Sequence, residues 1–283
     1  MLGLGNSIPG SDFIQSASLL LDRSFAANPT VAYSLRKVSS SYSGNCVLVR
    51  RASDDAELNI GFSGGALDTS ALATHCGSSD GFVVTWYDQS GNSNNATQGT
   101  AARQPKIYDG SGTRHITENG KPAITFDGSD DSLDSSSTVS LPLNNAIAIV
   151  AKGVATSTDE VFNIDMTSGV NVRIQSSKYK LLYTDLDQHQ IADSTNNQFL
   201  FFGGRQSSSN KVHASINGGA QTSDTTLDSS SFNTTTGTLH VGSRNGNGLH
   251  FDGEIQEVIY YASDQLSNRS DIESEINTFY SIF

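Results

Sequence analysis

The chain has 283 residues, 36% of them hydrophobic and 8% aromatic, which suffices for one large β domain or two smaller ones with a real core. A formal charge of −12 excludes a basic surface for nucleic acid or anionic membrane, and no run approaches the roughly 18 apolar residues of a membrane span. The acids are scattered, so the charge serves solubility more than recognition.

The opening, MLGLGNSIPGSDF, has neither a basic n-region nor a sustained apolar stretch, so no secretory signal is expected. Action outside a cell would then need another route, such as release inside an assembled particle. Residues 1–25 read as a separate arm. In DFIQSASLLLDRSF, Phe13, Ala17, Leu20 and Leu21 fall near helical spacing, which suits either a short amphipathic helix or an extended arm seeking a partner surface. Phe13, Leu19, Leu20 and Leu21 are its docking candidates. Asn28-Pro29 marks a break, after which residues 26–283 are expected to form one domain.

From Val31 the texture becomes a succession of short β-like runs: CVLVRR, FVVTWYD, PKIYD, PAITFDG, AIAIVAKG, VFNID, VNVRIQ, YKLLYTD, FLFFGGR, KVHASING, TLHVGSR and EIQEVIYY. Each is rich in Val, Ile, Phe or Tyr and bounded by Gly, Asn, Asp or Ser. Asn217-Gly218 suits a tight hairpin turn. Turn signals every ten residues or so point to an all-β, two-sheet sandwich or jelly roll. Two helices interrupt the pattern: DTSALATHC, with Asp68 or Thr69 as cap, and the C-terminal stretch carrying Ile272, Ile276, Phe279 and Tyr280, with Ser270 or Asp271 as cap. Cys46 and Cys76 make no disulfide framework and read as free buried thiols ahead of a bridge.

Two stretches carry a family resemblance. YSLRKVSSSYSGNCVLVRRASDDAELNIGF, GALDTSALATHC, GFVVTWYDQSGNSNNATQ and GKPAITFDGSDDSL together resemble the opening of the family 54 α-L-arabinofuranosidase catalytic domain, and of phage and bacterial proteins that share it. GEIQEVIYYASDQLSNRSDIESEINTFY resembles the last strand and closing helix of concanavalin A-like, laminin-G-type lectin sandwiches. The resemblance runs from Val31 to the C-terminus and implies a concanavalin A-like β-sandwich. The short LGLGNSI start resembles virion proteins of marine phages.

The resemblance also implies where catalysis should sit. The family's acid/base aspartate lies in a GGDNSNG-like stretch before the closing strand; here GSRNGNG puts Arg244 in its place. A guanidinium does not release its proton at working pH, so it cannot serve as general acid. The family's nucleophilic glutamate lies in a GNAET-like stretch after adjacent cysteines. Its nearest counterpart is VFNIDMTSG, where Asp165 is the only acid and no cysteine pair precedes it. The inherited pair is therefore expected to be missing.

Other candidates come from residue type. Asp88, after Trp86-Tyr87 and before Gln89-Ser90-Gly91, suits an Asx-type turn more readily than catalysis. Sugar binding would draw on Trp86, Asp88, Asn92, Arg244, Asn245 and Asn247, through aromatic stacking and hydroxyl-binding forks. Asp127, Asp130 and Asp131 in DGSDDS are candidate calcium ligands, since hard cations take several oxygen donors, and no other cofactor is expected. His240 and His250 flank the VGSRNGNGL loop, but no HxH or HExxH pattern occurs.

These readings converge on a non-enzymatic phage virion component, capsid- or tail-associated, made in the host cytoplasm and released by lysis. Its expected partners are other virion proteins, a homotrimer and a host-surface glycan, without nucleic acid or membrane insertion. The alternative is a glycoside hydrolase or polysaccharide depolymerase with carboxylates at new positions. That needs two carboxylates at hydrolytic separation in a cleft with an apolar wall. A bacterial surface adhesin is a third class.

Overall fold

The computed structural model describes residues 19–112, 114–153, 158–164, 169–175, 178–183, 187–193, 197–208, 211–224, 234–245 and 248–283. Phe13, Asp165 and Asn247 lie outside them.

The strand Asp252–Tyr261 is the spine of one layer. Asn145–Gly153 pairs along one of its edges; Val31–Ser34 and Ile124–Asp127 share the other, end to end. Phe199–Gln206, Lys211–Ile216 and Thr222–Asp224 extend this layer outward. The second layer runs from Glu57–Ile60 through Val47–Arg51, Gly81–Trp86, Ala96–Thr97, Leu133–Ser135, Leu239–Val241, Thr158–Ile164 and Val170–Gln175 to Lys178–Tyr183 and Asp187–Asp193. Every pairing among the described residues is antiparallel. Lys106–Asp109 touches both Ile124–Asp127 and Gly81–Trp86, so it joins the layers at one corner.

Val47, Val49, Val83 and Phe162 from one layer meet Ile147, Ile149, Phe201, Val258 and Tyr260 from the other in a single core. The rings of Phe162 and Tyr260 stand 6.1 Å apart. The expected β-sandwich with a closing helix is thus the fold that forms.

Strand period explains why AIAIVA is apolar throughout. Ile147, Ile149 and Ala151 enter the core, while Ala146, Ala148 and Val150 face a second cluster beneath the C-terminal helix α2, Arg269–Tyr280. Ile272, Ile276 and Tyr280 recur every four residues, so one helix face covers that side of the sheet. The cap differs from expectation: Asn268 precedes α2, and no side chain bonds the first turn. In α1, Thr69–Cys76, the expected Asp68 cap holds, its Oδ1 accepting the N–H groups of Ser70 (3.1 Å) and Ala71 (3.0 Å). Asn217 and Gly218 take φ values of 52° and 64°, the positive pair a tight hairpin needs.

The N-terminal segment corrects one expectation. Leu20 opens a single 3₁₀ turn, Leu20–Asp22, and is fully buried in the cluster under α2. Leu21 packs against the same cluster, and its N–H donates to the Val38 carbonyl at 2.8 Å. Leu20 is therefore covered by its own sandwich and is not available to dock on another protein. Cys46 and Cys76 are free and buried, and burial raises the Cys76 thiol to about 11.

Candidate active site

The sequence candidates around residues 86–92 turn out to be structural. Trp86 is 0% exposed and packs on Tyr33 at 5.9 Å between centroids, so it offers no face to a sugar. Tyr87, its neighbour in the strand, points the other way and donates its hydroxyl to Asn59 at 2.7 Å. Asp88 is buried, and its carboxylate accepts the N–H groups of Ala32, Ser90 and Asn94 and the Ser90 hydroxyl. Three of these bonds shape the turn Asp88–Asn94 and the fourth ties it to Val31–Ser34, which removes Asp88 from ligand binding and from catalysis. The Asn92 amide donates to the Pro29 and Thr30 carbonyls.

Arg244 sits in a short bridge with Gly248, its N–H donating to that carbonyl at 2.7 Å. Asn245 is exposed with φ 55°, and its N–H reaches Asn163 Oδ1 at 3.3 Å. Below this loop lies a buried polar stripe that motif reading missed. Glu160 pairs with Arg173 at 2.9 Å, Asn163 bonds Asn171, and His240 bonds Asp134 at 2.7 Å. With the guanidinium pressed against it, the Glu160 carboxylate is locked in an ion pair.

A different carboxylate group lines an open cleft of about 460 Å³. Its walls are Phe82, Ala101, Ala102, Gln104, Lys106, Thr125, Asp127 and Asp131. Thr125 pairs with Lys106, and Phe82 with Lys106, so the corner where the two layers join forms the floor. Gly128 bends the chain after Asp127: its φ is 72°, and a Cβ there would stand 2.9 Å from the Asp252 Cβ. The bend folds Asp131 back, so that its Oδ2 accepts the Asp127 N–H at 3.1 Å. Asp127 Oδ1 in turn accepts from Ser129 and Asp130, leaving its second oxygen without a protein partner among the described residues.

The carboxylate oxygens of Asp127, Asp130 and Asp131 lie within 4.8 Å of one another. Their surroundings differ. Asp127 is exposed, Asp130 half-buried and Asp131 only 6% exposed. Burial first, and the neighbouring Asp127 charge second, raise Asp131 to about 7. Lys106, tethered to Asp80 at 2.8 Å, opposes that shift weakly. This donor set is the one named above for calcium, and the buried, exposed and half-buried acids also place a proton donor beside a free carboxylate oxygen. Buried Asp131 and exposed Asp127, beside the apolar wall of Phe82 and two alanines, can divide acid and nucleophile roles between them.

The class the fold defines is a two-layer β-sandwich closed by a C-terminal helix, with an open cleft at one corner. Residues 24–279 match the family described as Alpha-L-arabinofuranosidase B, catalytic, and the chain belongs to that family. It resembles a mutant GH54 α-L-arabinofuranosidase soaked with 4-nitrophenyl α-L-arabinofuranoside, with TM-score 0.70 and 17% identity. It also resembles an arabinofuranosidase complexed with arabinofuranosyl-α-1,2-xylobiose, with TM-score 0.66 and 18% identity. At those identities the likeness speaks to the fold. In both cases 88% of this chain is covered, and the chain spans 62% of the other's length. No curated protein matches the chain.

These matches overturn the expectation of a non-enzymatic virion protein. The family and the similar structures are those of a glycoside hydrolase catalytic domain, and the virion resemblance has no counterpart among them. The inference from Arg244 judged two motif positions alone, whereas the fold gathers other carboxylates in a cleft.

Proposed function

We propose that the chain is a glycoside hydrolase releasing α-L-arabinofuranosyl units, with Asp131 as acid/base and Asp127 as nucleophile. The carboxylate pair in the outer cleft carries this reading. One oxygen of each acid lies within 4.8 Å of the other's, nearer the roughly 5–5.5 Å of a double-displacement pair than the about 6.5–9.5 Å of a water-activating pair. Asp131 donates its proton to the leaving glycosidic oxygen as the free Asp127 oxygen attacks the anomeric carbon. That step forms a glycosyl ester and releases the aglycone alcohol. Asp131, now ionised, takes a proton from water, whose oxygen breaks the ester and frees the sugar with net retention.

Release of 4-nitrophenol from 4-nitrophenyl α-L-arabinofuranoside tests the reading. The intact chain is expected to turn over, with kcat reduced about a hundredfold or more in Asp131→Asn and in Asp127→Asn. Absence of turnover in the intact chain would refute the hydrolase reading. Turnover untouched by both substitutions would move the chemistry away from this cleft.

A further inference from the structure

Thr222–Asp224, the outermost strand of the first layer, is three residues long and, among the described residues, pairs on one side alone, with Lys211–Ile216. Three register positions are a weak hold for an edge, so side chains decide whether it stays on the sheet. Two buried histidines, His189 and His213, supply the bonds. The Thr222 hydroxyl donates to the Ala214 carbonyl at 3.2 Å and so accepts from His189 Nε2 at 2.9 Å, which ties this edge to Asp187–Asp193 of the second layer. Beside it, the Gln221 amide donates to His213 Nδ1 at 2.6 Å, which leaves the proton of the neutral ring on Nε2. That N–H is buried without a partner among the described residues, and His213 is 6% exposed. The charges near His213 are Lys211 on its own strand, and Arg205 and Asp264, which line one small pocket with it. Glu273 of α2, packed on the same sheet, is already spent on Ser215 and Arg269. Burial first, then Lys211, lower the His213 pKa from its ordinary value. His189 adds to the effect, and Asp264, whose oxygens accept from Gln206 and the Leu266 N–H, opposes it.

We propose that His189 and His213 form an acid-sensitive latch, which fastens Thr222–Asp224 to the sandwich at neutral pH and releases it on acidification while the core stays folded. A proton on His213 Nδ1 turns that atom from acceptor to donor against the Gln221 amide N–H. It also leaves a buried cation that Asp264 compensates only in part. A proton on His189 keeps the bond to Thr222 but sets a second positive charge at the seam between the layers. Because the folded chain holds the His213 pKa below its unfolded value, the stability it contributes is full above about pH 6.5 and is lost as pH falls from there. Neither histidine, nor Gln221, nor Thr222 lines the Asp127–Asp131 cleft, so the latch does not depend on the hydrolase reading.

Amide hydrogen–deuterium exchange on the full chain, at about pH 7.5 and about pH 5.5, tests the latch when read as protection factors, which remove the intrinsic pH effect. Residues 211–216 and 222–224 are expected to lose about tenfold or more in protection at the lower pH, with residues 146–151 and 255–260 unchanged. The double variant His189→Gln, His213→Gln carries no proton to gain, so its protection at this edge should be the same at both pH values. Thr222→Val removes the bond to His189 and should lower protection of the same residues already at about pH 7.5. Equal protection of the edge at both pH values in the parent chain would overturn the proposal. So would a loss that persists in the double variant, or a Thr222→Val edge as protected as the parent's. A loss shared evenly by residues 146–151 would be global acid unfolding, and that too would overturn a local latch. Should the double variant not fold, the parent and Thr222→Val comparisons decide the matter by themselves.

Discussion

Asp131 and Asp88 show how one residue type takes opposite fates. Both are buried, but Asp88 meets four donors and belongs to the turn, while Asp131 receives one backbone bond and beside it a like charge. The fold therefore holds Asp131 protonated well above the ordinary carboxylate range. Between about pH 4 and pH 7 the folded chain binds the extra proton, so this residue makes stability fall as pH rises through that window, with no further loss above it. Asp131→Asn should abolish that slope. In urea melts the variant should match the parent near pH 4 and exceed it by up to about 4 kcal/mol at pH 8, while losing activity. A parent curve without the slope would refute the burial argument. The same proton sets the upper limb of the activity profile, so kcat/KM should decline above about pH 7 as the acid ionises.

Elements whose cause is local could be read from sequence, and those whose cause is register could not. Asp68 caps α1 because its carboxylate reaches backbone N–H groups two and three residues on, a relation within one turn. Asp68→Ala should therefore lower stability by about 1 kcal/mol without changing the cleft, as measured by thermal unfolding at matched kcat. The Asn217-Gly218 turn and the four-residue spacing of Ile272, Ile276 and Tyr280 are equally local. Alternation along FVVTWY, by contrast, leaves open which of Trp86 and Tyr87 enters the core. The answer depends on the Tyr33 ring packed on Trp86, which comes from a strand more than fifty positions earlier. The cleft was hidden for the same reason. Phe82, Ala101, Gln104, Lys106, Thr125 and Asp131 come from separate segments that only the Thr125–Lys106 and Phe82–Lys106 pairings bring together. DGSDDS could be seen as an acidic loop, but which of its acids is buried depends on Gly128 meeting Asp252 on the distant spine strand.

At the scale of the whole molecule, one buried ion pair ties the helix, the spine and the first strand together. Glu257 accepts from Arg36 Nε at 2.7 Å and Nη2 at 3.0 Å, from the Ser34 hydroxyl at 2.7 Å, and from the Tyr280 hydroxyl at 3.3 Å. The Arg36 guanidinium also lies over the Phe279 ring at 5.4 Å. One residue earlier on the spine, the Gln256 amide donates to the Glu118, Lys121 and Pro122 carbonyls of the hairpin that leads into Ile124–Asp127. The route from α2 to the cleft strand thus passes through two adjacent spine residues facing opposite ways. Removing the Glu257 charge leaves a buried guanidinium uncompensated, so Glu257→Gln should destabilise the chain by about 3–5 kcal/mol. Tyr280→Phe removes one long hydrogen bond and keeps the ring packed, which predicts a loss of about 1 kcal/mol or less. Guanidinium melts followed by circular dichroism distinguish the two. If the pair is an anchor remote from the chemistry, each variant keeps its kcat per folded molecule; a kcat that falls while the chain stays folded would mean that strain at Glu257 reaches Asp127 through the spine.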